Sequence, residues 1–138
     1  MSNKREELAF DSIHALAPKI KDGSVSPVEI TEIALERTAT LNPKLNAFLD
    51  IWQDEALAAA TKAEREIAGG RYLGPMHGIP IGLKDLVDVA GKVTTGGSKV
   101  LQSNIAAQDA TVTDRLNRAG AISSAKPTSS SSHSVRLA

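Results

Sequence analysis

The chain has 138 residues, 41% of them apolar and 23% charged, which suffices for one small domain with a core of its own. Sixteen Lys and Arg balance sixteen Asp and Glu, so there is no net field to draw nucleic acid or an anionic membrane surface, and neither is an expected partner. Cysteine is absent, which excludes disulfides and thiolate chemistry. The start, Met1 to Phe10, has charges without an apolar segment behind them, and no apolar run reaches membrane-spanning length, so the expected setting is soluble and cytoplasmic.

Phe10, Ile13, Leu16, Ala17 and Ile20 recur at helical spacing and predict a first helix, with a break available at Pro18 and a glycine stop at Gly23. Ser26-Pro27-Val28-Glu29 is a capping box with proline at the first helical position. The helix it opens carries Val28, Ile33, Leu35 and Leu41 and is expected to stop near Asn42-Pro43. Asn46 to Trp52 reads as a short strand, and the alanine-rich stretch from Asp54 to Ile67 as a third helix ending at Gly69-Gly70. From Tyr72 onward glycine and proline punctuate the chain, and Ile79, Ile81, Leu83, Val87 and Val89 alternate as in a strand. Asp109 is the expected cap of a last helix, Ala110 to Ala119. Helices followed by strand, loop and helix give an α/β fold class.

Gly74-Pro75-Met76-His77-Gly78-Ile79-Pro80-Ile81-Gly82-Leu83-Lys84-Asp85 is the most informative segment. If extended, it sets Lys84 on one face with Gly78, Pro80 and Gly82, while Ile79, Ile81 and Leu83 point the other way. Small neighbours let a substrate or another backbone approach the lysine, and apolar walls would disfavour its charged form and make it a usable base. The same residues also fit a solvated lysine at a strand end, as most lysines are. His77 fits either a place on the approach to a site or simple packing. Asp85 and Asp88 are suited to orienting backbone or pairing with charges, and no chemistry is assigned to them.

The run G-P-M-H-G-I-P-I-G-L-K-D-L, then Thr94-Thr95-Gly96-Gly97-Ser98, then Asp109-Ala110-Thr111-Val112 leading to Arg118-Ala119-Gly120-Ala121, resembles the amidase signature family in order and spacing. Leu41 to Phe48 resembles that family's N-terminal region, and the likeness covers residues 5 to 122. It implies a large α/β domain with a mixed central sheet, of which this chain would supply the opening helices and first strands. It also implies hydrolysis of, or ammonia transfer from, carboxylic amides by a Ser-cisSer-Lys triad. Lys84 matches the triad lysine, whose implied role is to act, while neutral, as general base toward a bridging serine that activates the nucleophilic serine. No cofactor or metal is implied, and the implied partner is a small-molecule amide. Both family serines lie in a later glycine- and serine-rich segment that also forms the oxyanion hole.

Residues 123–138 hold seven of the thirteen serines but no glycine, so Ser129 to Ser132 lack the backbone freedom to replace that segment, and His133 has no ligating neighbours. In the family, Ile122 would lead into a strand ending in a G-K-T-N-like turn. Codons can be chosen that spell Ile122 to Ala138 and, with a single base restored after Ile122, spell I-L-L-G-K-T-N-L-L-E-F-S-F-G-P-V-G. Residues 5–122 are therefore expected to form the N-terminal portion of the family domain, and residues 123–138 to be a disordered, out-of-frame tail. An incomplete sheet exposes an edge for association and leaves apolar faces uncovered, so marginal stability is expected. Three roles follow: a truncated hydrolase inactive alone, a non-catalytic binding or assembly fragment, and one half of a split amidase.

Overall fold

The computed structural model describes residues 2–128. Five helices, α1 (Ser2–Phe10), α2 (Ile13–Lys21), α3 (Pro27–Leu45), α4 (Gln53–Ala68) and α5 (Thr111–Arg118), accompany strands β1 (Phe48–Ile51), β2 (Pro80–Gly82) and β3 (Ile122–Pro127), with a 3₁₀ turn at Lys99–Leu101. The sheet is mixed, in the order β1-β3-β2: β3 runs antiparallel to β1 and parallel to β2. This is an α/β arrangement. No helix among the described residues is long and apolar enough to cross a membrane.

The expected first helix is two helices, and the break is not at Pro18. Ser12 takes extended backbone and its Oγ accepts from Ala15 N at 3.2 Å, so a new helix begins there and Pro18 lies inside it. The break leaves Phe10 and Ile13 exposed while Leu16, Ala17 and Ile20 stay buried. The Ser26 cap forms: its Oγ accepts from Val28 N and Glu29 N, and the same hydroxyl donates to Glu64 on α4 at 2.5 Å. Pro43 does not stop α3 either. The helix runs to Leu45 and ends on Asn46, which adopts left-handed backbone (φ 50°) and returns its N–H to Asn42 O at 2.7 Å.

Two apolar clusters hold these layers together. Leu8, Leu16, Ile20, Val25, Ile30, Ile33 and Ile79 pack the first three helices onto the start of β2. Leu35, Ala56, Ala60 and Ile122 pack α3 and α4 onto β3, the alanines of α4 being small enough to let the helix lie close. Ile79 and Ile122 each join a helical cluster to the sheet. The alternation expected up to Val89 ends early: the strand closes at Gly82, and Val87 and Val89 lie in irregular loop. Asp109 does not cap α5, whose N-cap is Ala110. Its carboxylate instead accepts from Ala90 N at 2.7 Å and Asn117 Nδ2 at 3.2 Å, tying the preceding loop to the helix.

The largest departure concerns the tail. The change of texture expected at Ile122 is not an end of the fold, because residues 122–127 form the central strand. A serine-rich strand survives burial here because its polar atoms are bonded: Ser124, 8% exposed, donates from Oγ to Ile81 O at 3.0 Å. Pro127, which has no N–H, stands at the last position of the strand, where Thr128 N takes over by donating to Ala47 O. The remainder of the expected tail, residues 129–138 with Ser129 to Ser132 and His133, lies outside the described residues.

Candidate functional site

Lys84 sits just beyond β2, and the central strand determines how it is presented. Leu83 N donates to Ala125 O at 3.0 Å and Asp85 N donates to Pro127 O at 3.2 Å, so the parallel ladder continues past Gly82 on both sides of Lys84. Leu83 and Asp85 are buried by this pairing and Lys84, between them, is exposed. The period-two parity expected for Ile79 to Lys84 thus holds at its Leu83–Lys84 end. The strands also approach closely: a Cβ built on Gly82 would lie 2.9 Å from Pro127 Cγ, so this position admits glycine alone without a shift of β3. Immediately after the lysine the chain turns, with Val87 N donating to Lys84 O at 2.8 Å.

Asp85, given no chemistry from the sequence, is the hub of a buried polar cluster. Its side chain accepts from Thr95 N at 2.9 Å and from the Thr95 hydroxyl, and its carbonyl accepts from Gly96 N at 2.9 Å. Two motifs separated in sequence, Leu83-Lys84-Asp85 and Thr94-Thr95-Gly96-Gly97-Ser98, are thereby brought together. A second cation joins them. Lys126 of β3 is 2% exposed, and its ammonium donates to Val93 O at 2.7 Å, Thr94 Oγ1 at 2.8 Å and Val87 O at 3.3 Å, with Asp85 Oδ1 at 3.8 Å. Burial pulls the Lys126 amine below the ordinary lysine range, and the charges of Asp85, Asp88 and Asp50 oppose that pull.

Sequence reasoning singles out none of Lys126, Thr94 and Thr95 as a site residue. A signal for Lys126 exists nonetheless: the family strand expected after Ile122 carries a lysine in its G-K-T-N turn. A charged residue within a central strand requires a buried partner. His77, by contrast, belongs to packing. It is 1% exposed, its Nδ1 accepts from Leu73 N at 3.1 Å, and its Nε2 faces Glu66 Oε2 at 3.2 Å, so it fastens the loop before β2 to α4. Asp88 lies exposed, and its carbonyl accepts from Ala110 N and Thr113 Oγ1, which ties the loop to the start of α5.

A separate open groove is lined by Leu16, Ile30, Ile33, Leu41, Leu45 and Phe48 among others, and Lys84 is not part of its lining. The chemistry of the two places differs: the groove offers apolar surface, whereas the Lys84 end of the sheet offers an exposed lysine on backbone hydrogen-bonded to β3. A lysine so placed can exchange a proton with a group brought against the strand end.

Comparison with known proteins gives a consistent family. A family model for Amidase matches residues 29–134. The chain is similar to a glutamyl-tRNA(Gln) amidotransferase subunit from Acaryochloris marina, at 45% identity over 111 residues, which is 80% of this chain and 23% of that protein. It is 40% identical over 114 residues to the protein of the same name from Geobacter metallireducens, covering 82% of this chain and 23% of the other. Among solved structures it is similar to the peptide amidase of Stenotrophomonas maltophilia, with a TM-score of 0.79 and 34% identity over 86% of this chain and 25% of that one. Fatty acid amide hydrolase gives a TM-score of 0.84 at 28% identity, over 89% of this chain and 22% of its own. The chain therefore spans about a quarter of the length of these proteins.

Proposed function

The chain belongs to the amidase family, and we propose that Lys84 is the general base of an amide-processing site to which residues 1–138 contribute the lysine but not the serines. The observation that supports this reading is the place of Lys84 within the family's motif, on backbone bonded to the central strand on both sides; its exposure by itself is shared with an ordinary strand-end lysine. In the proposed reaction the neutral amine takes a proton from a bridging serine. That serine takes the proton of a second serine, whose oxygen attacks the amide carbonyl carbon; the amine leaves with a proton and an acyl-enzyme remains for water or another acceptor. The proposed substrate is a small carboxylic amide, used for hydrolysis as in the peptide amidase or for amidotransfer as in the glutamyl-tRNA(Gln) amidotransferase proteins, and the proposed setting is the cytoplasm.

By themselves, residues 1–138 are proposed to be inactive, since a base without nucleophile or oxyanion hole supplies almost nothing. Assay of the chain against acetamide, an aryl amide, a peptide amide and glutamine is expected to show no hydrolysis. Mixed with a polypeptide carrying a family serine- and glycine-rich segment, it is expected to gain activity that Lys84→Ala lowers by about 10²–10⁴-fold, the usual contribution of a positioned base. Because Lys84 is exposed, the same substitution should leave stability within about 0.5 kcal/mol. Hydrolysis by the isolated chain, or activity indifferent to Lys84→Ala, refutes the reading.

The second reading, a binding or assembly fragment, is favoured by the exposed apolar side chains Leu45, Leu49, Leu86, Val100 and Ile105, which a partner would cover. It predicts association in the same mixture without gain of hydrolysis. We further propose that the residues after Ile122 derive from a shifted reading frame. Both frames place lysine at position 126, which accounts for a strand that still fits the sheet. Nucleotides beyond codon 122 that lack a glycine- and serine-rich continuation in the other frame would sink this proposal.

A further inference from the structure

We infer that Lys126 is a positioning residue for Lys84: from the central strand its ammonium clasps the loop that follows Lys84 and fixes the backbone from which the Lys84 side chain projects. The inference rests on the reading of Lys84 as the base. The loop from Asp85 to Ser98 contains no helix and no strand of its own, and its course is set by scattered backbone bonds, such as Thr94 N to Asn104 O and Gly96 N to Asp85 O, together with side-chain bonds. Lys126 meets it at three separate points, Val87 O, Val93 O and Thr94 Oγ1, and these use all three ammonium protons. Asp85, whose side chain is engaged by Thr95, completes the charge balance at 3.8 Å. Lys84 immediately precedes the loop, and its carbonyl accepts from the N–H of Val87, a residue that Lys126 also holds.

A simple packing role does not account for this arrangement. A buried cation is weak evidence of stabilisation, because an apolar side chain of similar volume often serves as well or better. An apolar chain, however, has no direction. An ammonium with three directed bonds fixes where two loop carbonyls and a hydroxyl stand, and through Asp85 N and Leu83 N the same strand fixes the flanks of Lys84. Both ends of the segment that carries the base are thus held by β3, one by backbone and the other by the Lys126 side chain.

The test uses the full chain labelled with ¹⁵N, with Lys126→Met, which keeps the bulk and removes the donors, and Thr94→Val, which removes a single acceptor. The order parameter of the Lys84 amide is expected to fall from about 0.85 toward about 0.6 in Lys126→Met and part of the way in Thr94→Val, while the amides of α3 and α4 stay rigid. In the reconstituted mixture Thr94→Val should lower kcat by about tenfold with KM within about twofold, as for loss of orientation rather than of binding. If Lys126→Met does not fold, Thr94→Val decides alone. A Lys84 amide that stays rigid in a folded variant, or an unchanged kcat, overturns the inference and leaves the base reading standing. Activity that survives Lys84→Ala overturns the base reading, whatever the order parameters show.

Discussion

Gly120→Ala is expected to destabilise the chain by about 2–5 kcal/mol, the sum of about 1–2 for left-handed backbone in a residue with a Cβ and about 1–3 for overpacking. Gly120 has φ +82°, and a Cβ there would lie 2.5 Å from His77 Cδ2, 2.8 Å from its Cγ and 3.1 Å from its Cα. Relief by moving the ring is blocked. His77 is held at Nδ1 by Leu73 N and at Nε2 by Glu66, and Gly78 N donates to Gly120 O at 2.9 Å, so ring and backbone on both sides are fixed. The close approach matters beyond stability because it sets where β2 and β3 begin. Pro80 pairs with Ile122, and Ile122 N donates to Ile79 O at 2.8 Å, only two residues past Gly120. Urea denaturation followed by circular dichroism measures the loss, and a change below about 1 kcal/mol would mean that the His77 loop yields more easily than its bonds indicate.

Much of this geometry is legible in the sequence where one local signal acts alone. The Ser26 cap, the alanine-rich α4 and the parity that buries Leu83 and exposes Lys84 all follow from spacing and side-chain chemistry. The misread places are those where a stronger competitor lies nearby or far along the chain. Pro43 fails to stop α3 because the left-handed cap at Asn46 supplies a better end three residues later. Asp109 looks like a helix cap, yet Ala90 N, distant in sequence, claims its carboxylate. The strand at Ile122–Pro127 is hidden because its buried serine looks polar in sequence, and only the fold reveals the Ile81 carbonyl waiting for it. Lys126 is hidden for the same reason: its acceptors are loop carbonyls and a hydroxyl 32 to 39 residues away, a set that no local pattern announces.

Lys126→Ala is the second large effect expected, a loss of about 3–5 kcal/mol, as when one partner is removed from a buried ion pair. The substitution strips the bonded donor from Val87 O and Val93 O and leaves the Asp85 side chain, 1% exposed, facing no cation. For a small domain a loss of that size is comparable to its whole stability, so urea titration should find either a greatly lowered midpoint or no cooperative transition. The pH dependence separates the charge from the packing. Burial lowers the Lys126 pKa in the folded chain relative to about 10.5 when unfolded. Below the folded value both states hold the proton and the cost of burying the ammonium is present in full. Between the two values the unfolded chain binds the proton and the folded chain does not, so this residue's contribution to stability rises with pH through that window and levels off above the unfolded value. The difference in stability between the original chain and Lys126→Met should therefore shift in favour of the original chain as pH rises toward 10.5, since methionine has no proton to lose. A difference that is flat across the alkaline range, or that moves the other way, would show that the three acceptors and Asp85 hold the ammonium at least as firmly as water does.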